Sequence, residues 1–287
     1  MKINQPLVSV LMTAYNREEF ISEAIESVLT STYTNFELIV VDDCSKDNTV
    51  SIARLYESKD SRIRVYENEK NLGDYPNRNK AASYATGKYL KYCDSDDKLF
   101  DWSLEYCVDM METYPEAGMG ILKLNKEVQE EYLLSKDAIY KNFFEQSILS
   151  IGPSGTILKR EAFQRTGCFN PEFGVASDMY FNLKIAAHFP IVFLPKVFFF
   201  YRTHEGQELN NTYSYLYNSY RYLNQALVEL RFELKPEKIE WLHKKNKRRF
   251  IVNVFSYFLK SFNLKKTIIA IKRADFSFKD AIQGVLH

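Results

Sequence analysis

The sequence predicts an α/β fold: a Rossmann-like parallel central sheet flanked by helices, followed by a helical C-terminal extension. Two observations predict it. Over the first hundred residues, short apolar runs suited to buried strands alternate with segments whose apolar residues recur at the helical period. From about Tyr213 onward only the helical period remains. With 287 residues and 46% hydrophobic content, the chain fits one large α/β domain plus an appendage.

In chain order, Leu7–Met12 is the first buried strand and ends in Thr13-Ala14-Tyr15-Asn16-Arg17. Phe20, Ile21, Ala24, Ile25, Val28 and Leu29 then share one helix face. Phe36–Val41 is the second strand, ending in Asp42-Asp43-Cys44-Ser45, and Asp47-Asn48-Thr49 caps the next helix. Ile63–Tyr66, a helix over Pro76–Tyr84 and a strand over Tyr89–Tyr92 follow, the last running into Asp94-Ser95-Asp96-Asp97. Beyond these lie a helix through Leu104 and Met111, a strand over Met119–Leu124, a helix around Asp137–Gln146 and a strand over Ile157–Arg160. Ser177–His188 reads as a helix, and Phe189–Tyr201, broken by Pro190, Pro195 and Lys196, as two strands. Ligands of such sheets bind outside the carboxyl ends of the strands, where Thr13, Asp43 and Asp94 all fall.

Composition narrows the function. A net charge of +1 excludes a globally basic nucleic-acid binder. Cys44, Cys93, Cys107 and Cys168 lack metal-ligand spacing, as expected of reduced thiols in the cytoplasm. Neither a secretory signal nor a membrane-spanning run is expected. Three carboxylates within four residues after a strand repel one another, and a divalent cation bridging to phosphates relieves that repulsion; a solvated, capped turn is the alternative. The first glycine is Gly73, so no GxGxxG or Walker loop follows the first strand. Phosphate binding would fall to side chains and a metal.

Four segments in order, Val8–Asn16, Val40–Thr49, Asn71-Leu72-Gly73 with Arg78-Asn79, and Asp94-Ser95-Asp96-Asp97, resemble the family 2 glycosyltransferases, inverting enzymes of the GT-A fold that use nucleotide-sugar donors. The resemblance implies a UDP-sugar donor, a Mn²⁺ or Mg²⁺ cofactor and a hydroxyl acceptor on a glycan or lipid-linked glycan, in bacterial cell-surface polysaccharide or glycoconjugate synthesis. It implies that Thr13, Ala14 and Tyr15 pack around the base, that Asp43 accepts from the uracil imide and that Arg78 meets the nucleotide. Asp94, Ser95 and Asp96 form the DxD motif, with Asp94 and Asp96 on the metal and diphosphate. Asp97 either shares the metal or caps the following helix. Gly167-Cys168-Phe169-Asn170-Pro171-Glu172 matches a Gly-Gly-Phe-Asp-Glu segment, with Cys168 in the second glycine position. Asp178 matches the catalytic aspartate of a Glu-Asp motif whose glutamate is here Ser177, which makes Asp178 the general base. His204, in Tyr201-Arg202-Thr203-His204, either adds to the metal shell, contacts the diphosphate or is structural.

The expected division is a catalytic domain over 1–208, with a nucleotide-binding half to 100 and an acceptor half from 101, and a helical, aromatic- and basic-rich extension over 209–287. From Lys235 to Arg273 twelve basic residues face two acidic ones. Such helices suit peripheral contact with the inner face of the cell membrane, packing on the catalytic domain, or a homodimer partner. A sugar nucleotidyltransferase would need a glycine-rich loop after the first strand, and Thr13–Arg17 has none. A non-catalytic sugar-nucleotide-binding module would not need Asp94, Asp96 and Asp178 together.

Overall fold

The computed structural model describes residues 5–123, 134–135, 137–204 and 211–285. Leu124, predicted as a strand end, Glu205-Gly206 after His204, and the boundary at 208 lie outside the described residues. The elements are β1 (Val8–Ala14), α1 (Ile21–Leu29), β2 (Phe36–Asp42), α2 (Thr49–Glu57), β3 (Ile63–Glu67), α3 (Asp74–Ser83), β4 (Tyr89–Tyr92) and β5 (Lys98–Leu99). They continue with α4 (Ser103–Thr113), β6 (Met119–Leu122), β7 (Leu134–Ser135), α5 (Ala138–Phe144), β8 (Thr156–Lys159), α6 (Arg160–Thr166), α7 (Ser177–Ala186), β9 (Ile191–Leu194) and β10 (Phe199–Phe200). The C-terminal helices are α8 (Thr212–Glu229), α9 (Pro236–Ser261), α10 (Leu264–Arg273) and α11 (Phe278–Val285).

The apolar runs became strands because helices cover both faces of the sheet: every residue of β2 is buried, and all of β1 except Thr13. Eight strands lie in the order β3-β2-β1-β4-β8-β6-β9-β7. The first four are mutually parallel, so their carboxyl ends form one rim. β8 runs antiparallel to β4 and β6, which brings its amino end, after the 3₁₀ turn Pro153–Gly155, to that same rim. Asp97 is followed by β5, not a helix; β5 pairs with β10, and the next helix begins only at Ser103. The helix-capping alternative for Asp97 is therefore ruled out.

Two apolar cores sandwich the sheet. One of them contains Leu11, Leu90 and Phe181 together with Leu223, Ala226 and Leu227 of α8 and Leu242 of α9. The C-terminal region is helical as predicted, but its first two helices complete a core begun by the sheet. Cys168 adopts the left-handed backbone that a glycine in its position would take without strain, with φ 60° directly after Gly167 at φ 85°. The departure from Gly-Gly thus leaves the turn after α6 in place, at the steric penalty of a Cβ in that region. All four cysteines are free thiols.

Leu242→Ala should cost about 2–5 kcal/mol and lower the midpoint of a single cooperative urea transition followed by circular dichroism. A second transition confined to the C-terminal helices would show that they fold apart from the sheet.

Candidate active site

Thr13, Ala14, Tyr15, Asp43, Arg78, Asp94, Ser95, Asp96 and Asp178, drawn from five separate stretches of sequence, all line one cavity of about 910 Å³ at the strand rim. β1 delivers Thr13 and Ala14, and the half-exposed Tyr15 follows them. The two aspartates after Val41 divide the work. Asp42 is the turn residue, taking hydrogen bonds from the Ser45 amide (2.8 Å) and hydroxyl (2.5 Å). Asp43 faces the cavity and accepts from Asn68 Nδ2 and from the amides of Leu72 and Gly73, each at 2.8 Å. A carboxylate offers about four acceptor positions, so the three in use leave one for a ligand donor.

The acidic turn is held on every side. Arg78, nearly buried on α3, bridges Asp74 (Nε to Oδ1, 2.7 Å) and Asp94 (Nη1 to Oδ1, 2.6 Å). Burial opposes ionisation of Asp94, but the charge and hydrogen bond of Arg78 outweigh it and hold that carboxyl below its usual range. The Ser95 hydroxyl donates to the Thr13 carbonyl (2.8 Å), tying the turn to β1. Asp96 meets Arg17 Nε at 3.1 Å and His204 Nε2 at 3.0 Å, and the His204 ring stacks on Phe20 with centroids 5.0 Å apart. Arg202 donates its amide to Asp97 Oδ1 (3.1 Å) and its Nε to the Asp96 carbonyl (2.9 Å).

A divalent cation fits this turn. One carboxylate oxygen from each of Asp94, Asp96 and Asp97 lies within 4.8 Å of the others. Asp97 Oδ2 is buried and has no hydrogen-bond partner among the described residues, an orphan that hard-cation coordination would satisfy. Burial and the charges of Asp94 and Asp96 push the Asp97 carboxyl up to about 7. Asp97 could therefore hold a cation together with Asp94 and Asp96.

Across the cavity, Asp178 is the second residue of α7. Its Oδ1 accepts from the Met179 amide at 2.7 Å, and Gly152 is so close that a Cβ there would lie 3.7 Å from Oδ2. Burial lifts the Asp178 carboxyl to about 7 against the pull of the Met179 amide, the Tyr75 hydroxyl and the Arg78 charge. Ser177, in place of glutamate, is fully buried and donates to the Gly174 carbonyl (2.7 Å), so it turns away from the cavity.

The loop over residues 149–155 joins the two halves of the site, and sequence reasoning missed what holds it. Lys91, fully buried in β4, donates to the carbonyls of Tyr92 and Ser154, both at 2.6 Å. Asn182, one turn after Asp178, donates to the carbonyls of Leu149 (3.0 Å) and Ile151 (2.9 Å). The Ser154 hydroxyl in turn accepts from the Asp94 amide (3.2 Å). A lysine inside an apolar strand was the available signal.

Comparison with known proteins bears on this site. The family model described as glycosyl transferase family 2 matches residues 9–167, more than half of the chain. The chain belongs to glycosyl transferase family 2. Among family relatives, TuaG of Bacillus subtilis, named for teichuronic acid biosynthesis, is 42% identical over 147 residues, 48% of this chain and 58% of that one. WfgD of Escherichia coli, named as a UDP-Glc:α-D-GlcNAc-diphosphoundecaprenol β-1,3-glucosyltransferase, is 45% identical over 105 residues, 37% of this chain and 41% of that one. The chain thus spans about half the length of these curated relatives. TarS of S. aureus, solved with UDP-GlcNAc, superposes with a TM-score of 0.72 at 22% identity, covering 97% of this chain and 81% of that one. The fold is GT-A, as the resemblance implied, and the C-terminal helices are those that the helical period predicted.

Two outcomes follow from the geometry. A carboxyl whose folded pKa lies above its unfolded value stabilises the fold below the unfolded value, and that contribution is lost as pH rises, here from about 4 to about 7. Asp178→Asn should therefore raise Tm near pH 8 and leave it close to wild type near pH 4, as read by differential scanning fluorimetry. Lys91→Ala should destabilise by about 3 kcal/mol, since it orphans two buried carbonyls, measurable by urea unfolding.

Proposed function

We propose that this family 2 member transfers a sugar from a UDP-sugar to an acceptor hydroxyl with inversion at the anomeric carbon. The observation that carries the proposal is the pairing, across one cavity, of an Arg78-held acidic cluster with a separate carboxyl, Asp178, whose pKa of about 7 suits a general base.

In this reading Thr13, Ala14 and Tyr15 pack against the uracil ring, and the remaining acceptor position of Asp43 takes its imide proton. Asp94, Asp96 and Asp97 would hold a Mn²⁺ or Mg²⁺ ion, with His204 beside Asp96 as a further ligand. When bound, that ion supplies Lewis-acid stabilisation for the charge on the departing diphosphate. Arg78 keeps Asp94 ionised and, with Arg17 and Arg202, adds positive charge around the same turn. Asp178 removes the proton of the acceptor hydroxyl as its oxygen bonds to the anomeric carbon on the face opposite the diphosphate. The bond to the diphosphate breaks in the same step, which inverts the centre. Cavity-lining Gly152 and Tyr215 would border the acceptor.

The relatives named for teichuronic acid biosynthesis and for transfer to a diphosphoundecaprenol-linked sugar support a glycan or lipid-linked acceptor in cell-surface polysaccharide synthesis. A structural neighbour solved with GDP-Man and Mn²⁺, the mannosyltransferase PcManGT of Pyrobaculum calidifontis (TM-score 0.66, 18% identity), supports the metal assignment. A cytoplasmic enzyme would meet such acceptors at the inner membrane face, a placement that the relative acting on a diphosphoundecaprenol-linked sugar supports.

Asp178→Asn should abolish transfer while UDP affinity by calorimetry stays within about twofold; appreciable turnover by this variant would refute the base assignment. For the wild type, kcat/KM should fall about tenfold per pH unit below about 7 and level off above it, because only the ionised carboxyl accepts the proton. Chelation with EDTA and Asp96→Ala should each weaken UDP binding by at least about tenfold, and an affinity indifferent to both would remove the metal from the scheme.

A further inference from the structure

The C-terminal helices carry a surface that the reaction does not use. Val252, Phe255 and Leu259 of α9 and Phe262 at its C-cap recur every three or four residues and are all exposed to solvent, Phe262 with 79% of its surface. Leu264 and Ile268 of α10 extend the exposed apolar surface past the bend. From Lys244 to Val285 the sequence has eleven Lys and Arg against two Asp, in a chain whose total charge is only +1. One of those two, Asp280, is paired with Lys247 at 2.9 Å. Among the described residues Lys260, Lys265 and Lys272 form no ion pair.

This end of the extension lies beside the cavity. Tyr215 of α8 lines it, and Tyr213, two residues earlier, donates its hydroxyl to the Lys266 carbonyl (3.1 Å) and packs on Tyr257 of α9 with ring centroids 5.6 Å apart. Tyr257 of α9 and Lys266 of α10 thus pack on the same helix, α8, that supplies a wall of the cavity.

We propose that this face docks on an anionic lipid surface, with Phe255, Leu259, Phe262 and Leu264 entering the headgroup boundary and the lysines reaching the lipid phosphates. A basic rim around an apolar stripe matches an anionic bilayer on both counts. A second copy of the chain would bring the same positive charge against it, and like-charge contact opposes that pairing. Docking would bring α8, which carries the cavity-lining Tyr215, close to the bilayer, a consequence that bears on the proposed lipid-linked acceptor; the docking itself does not rest on that acceptor.

Co-sedimentation of the full chain with vesicles of phosphatidylcholine, alone or mixed with phosphatidylglycerol, tests the proposal. Binding should require phosphatidylglycerol and weaken as salt is raised. Phe262→Ser with Leu264→Ser, and separately Lys260→Glu with Lys265→Glu, should each lower the bound fraction at least about fivefold, while UDP release from a UDP-sugar in free solution is unchanged. These side chains are exposed, and circular dichroism verifies that the variants fold. Equal binding to neutral vesicles, or no vesicle binding, overturns the proposal. So does a dimer, seen by light scattering, that Phe262→Ser converts to a monomer without affecting vesicle binding. Vesicle binding that persists while no UDP-sugar is turned over leaves the docking intact and sinks the transfer reading alone.

Discussion

Mutual repulsion among Asp94, Asp96 and Asp97 is the constraint around which the rest of this structure is arranged. Three carboxylates at the end of β4 cannot stay ionised together unless positive charge reaches them, and the fold brings it from three directions. Arg78 comes from α3 and Arg17 from the loop after β1, each in an ion pair with a carboxylate of the turn, and Arg202, whose guanidinium also pairs with Glu23, from the segment after β10. Each lies far from the turn in sequence, so the turn is stable only once the sheet has assembled. Even then the compensation is incomplete: Asp97 keeps one buried oxygen unpartnered and a raised pKa. The protein alone leaves a deficit of positive charge that a divalent cation matches in sign and in ligand preference.

Asp178 experiences the opposite balance. It lies in the same cavity as Arg78, yet the guanidinium is committed to Asp74 and Asp94, and burial dominates at Asp178. The cavity therefore sets the acidic turn, where Arg78 keeps Asp94 charged while Asp97 is raised to about 7, opposite Asp178, which burial raises to the same range. Loop 149–155 keeps them at a set separation, held by Lys91 at one end and Asn182 near the other.

Much of this was legible in the sequence because it is local. Short apolar runs and the 3.6-residue period locate β1 through β4 and their helices to within one or two residues, and the polar residues at the strand ends follow from topology. Asp43, Arg78, Asp94 and Asp178 were readable because motif spacing carries them. Long-range partnerships were not. Nothing near Arg202 points to Asp97, 105 residues earlier, and Lys91 looks like an interruption of an apolar strand until the antiparallel β8 places Ser154 above it. The cap option for Asp97 stays open in the sequence because β5, which separates it from the next helix, is too short to leave a periodic signal.

Leu223, Ala226, Leu227 and Leu242 lie in the same apolar cluster as the sheet residues Leu11 and Leu90. A chain cut off after residue 204 would not be a smaller working version of this protein. It would bare the apolar flank of α7 to water and lose Tyr215, one wall of the cavity. Evolution is bound by the same geometry. The far end of the extension, where Phe262 and Phe278 meet solvent, is free to diversify. The stretch through α8 and the first turns of α9 must change in step with the sheet it covers.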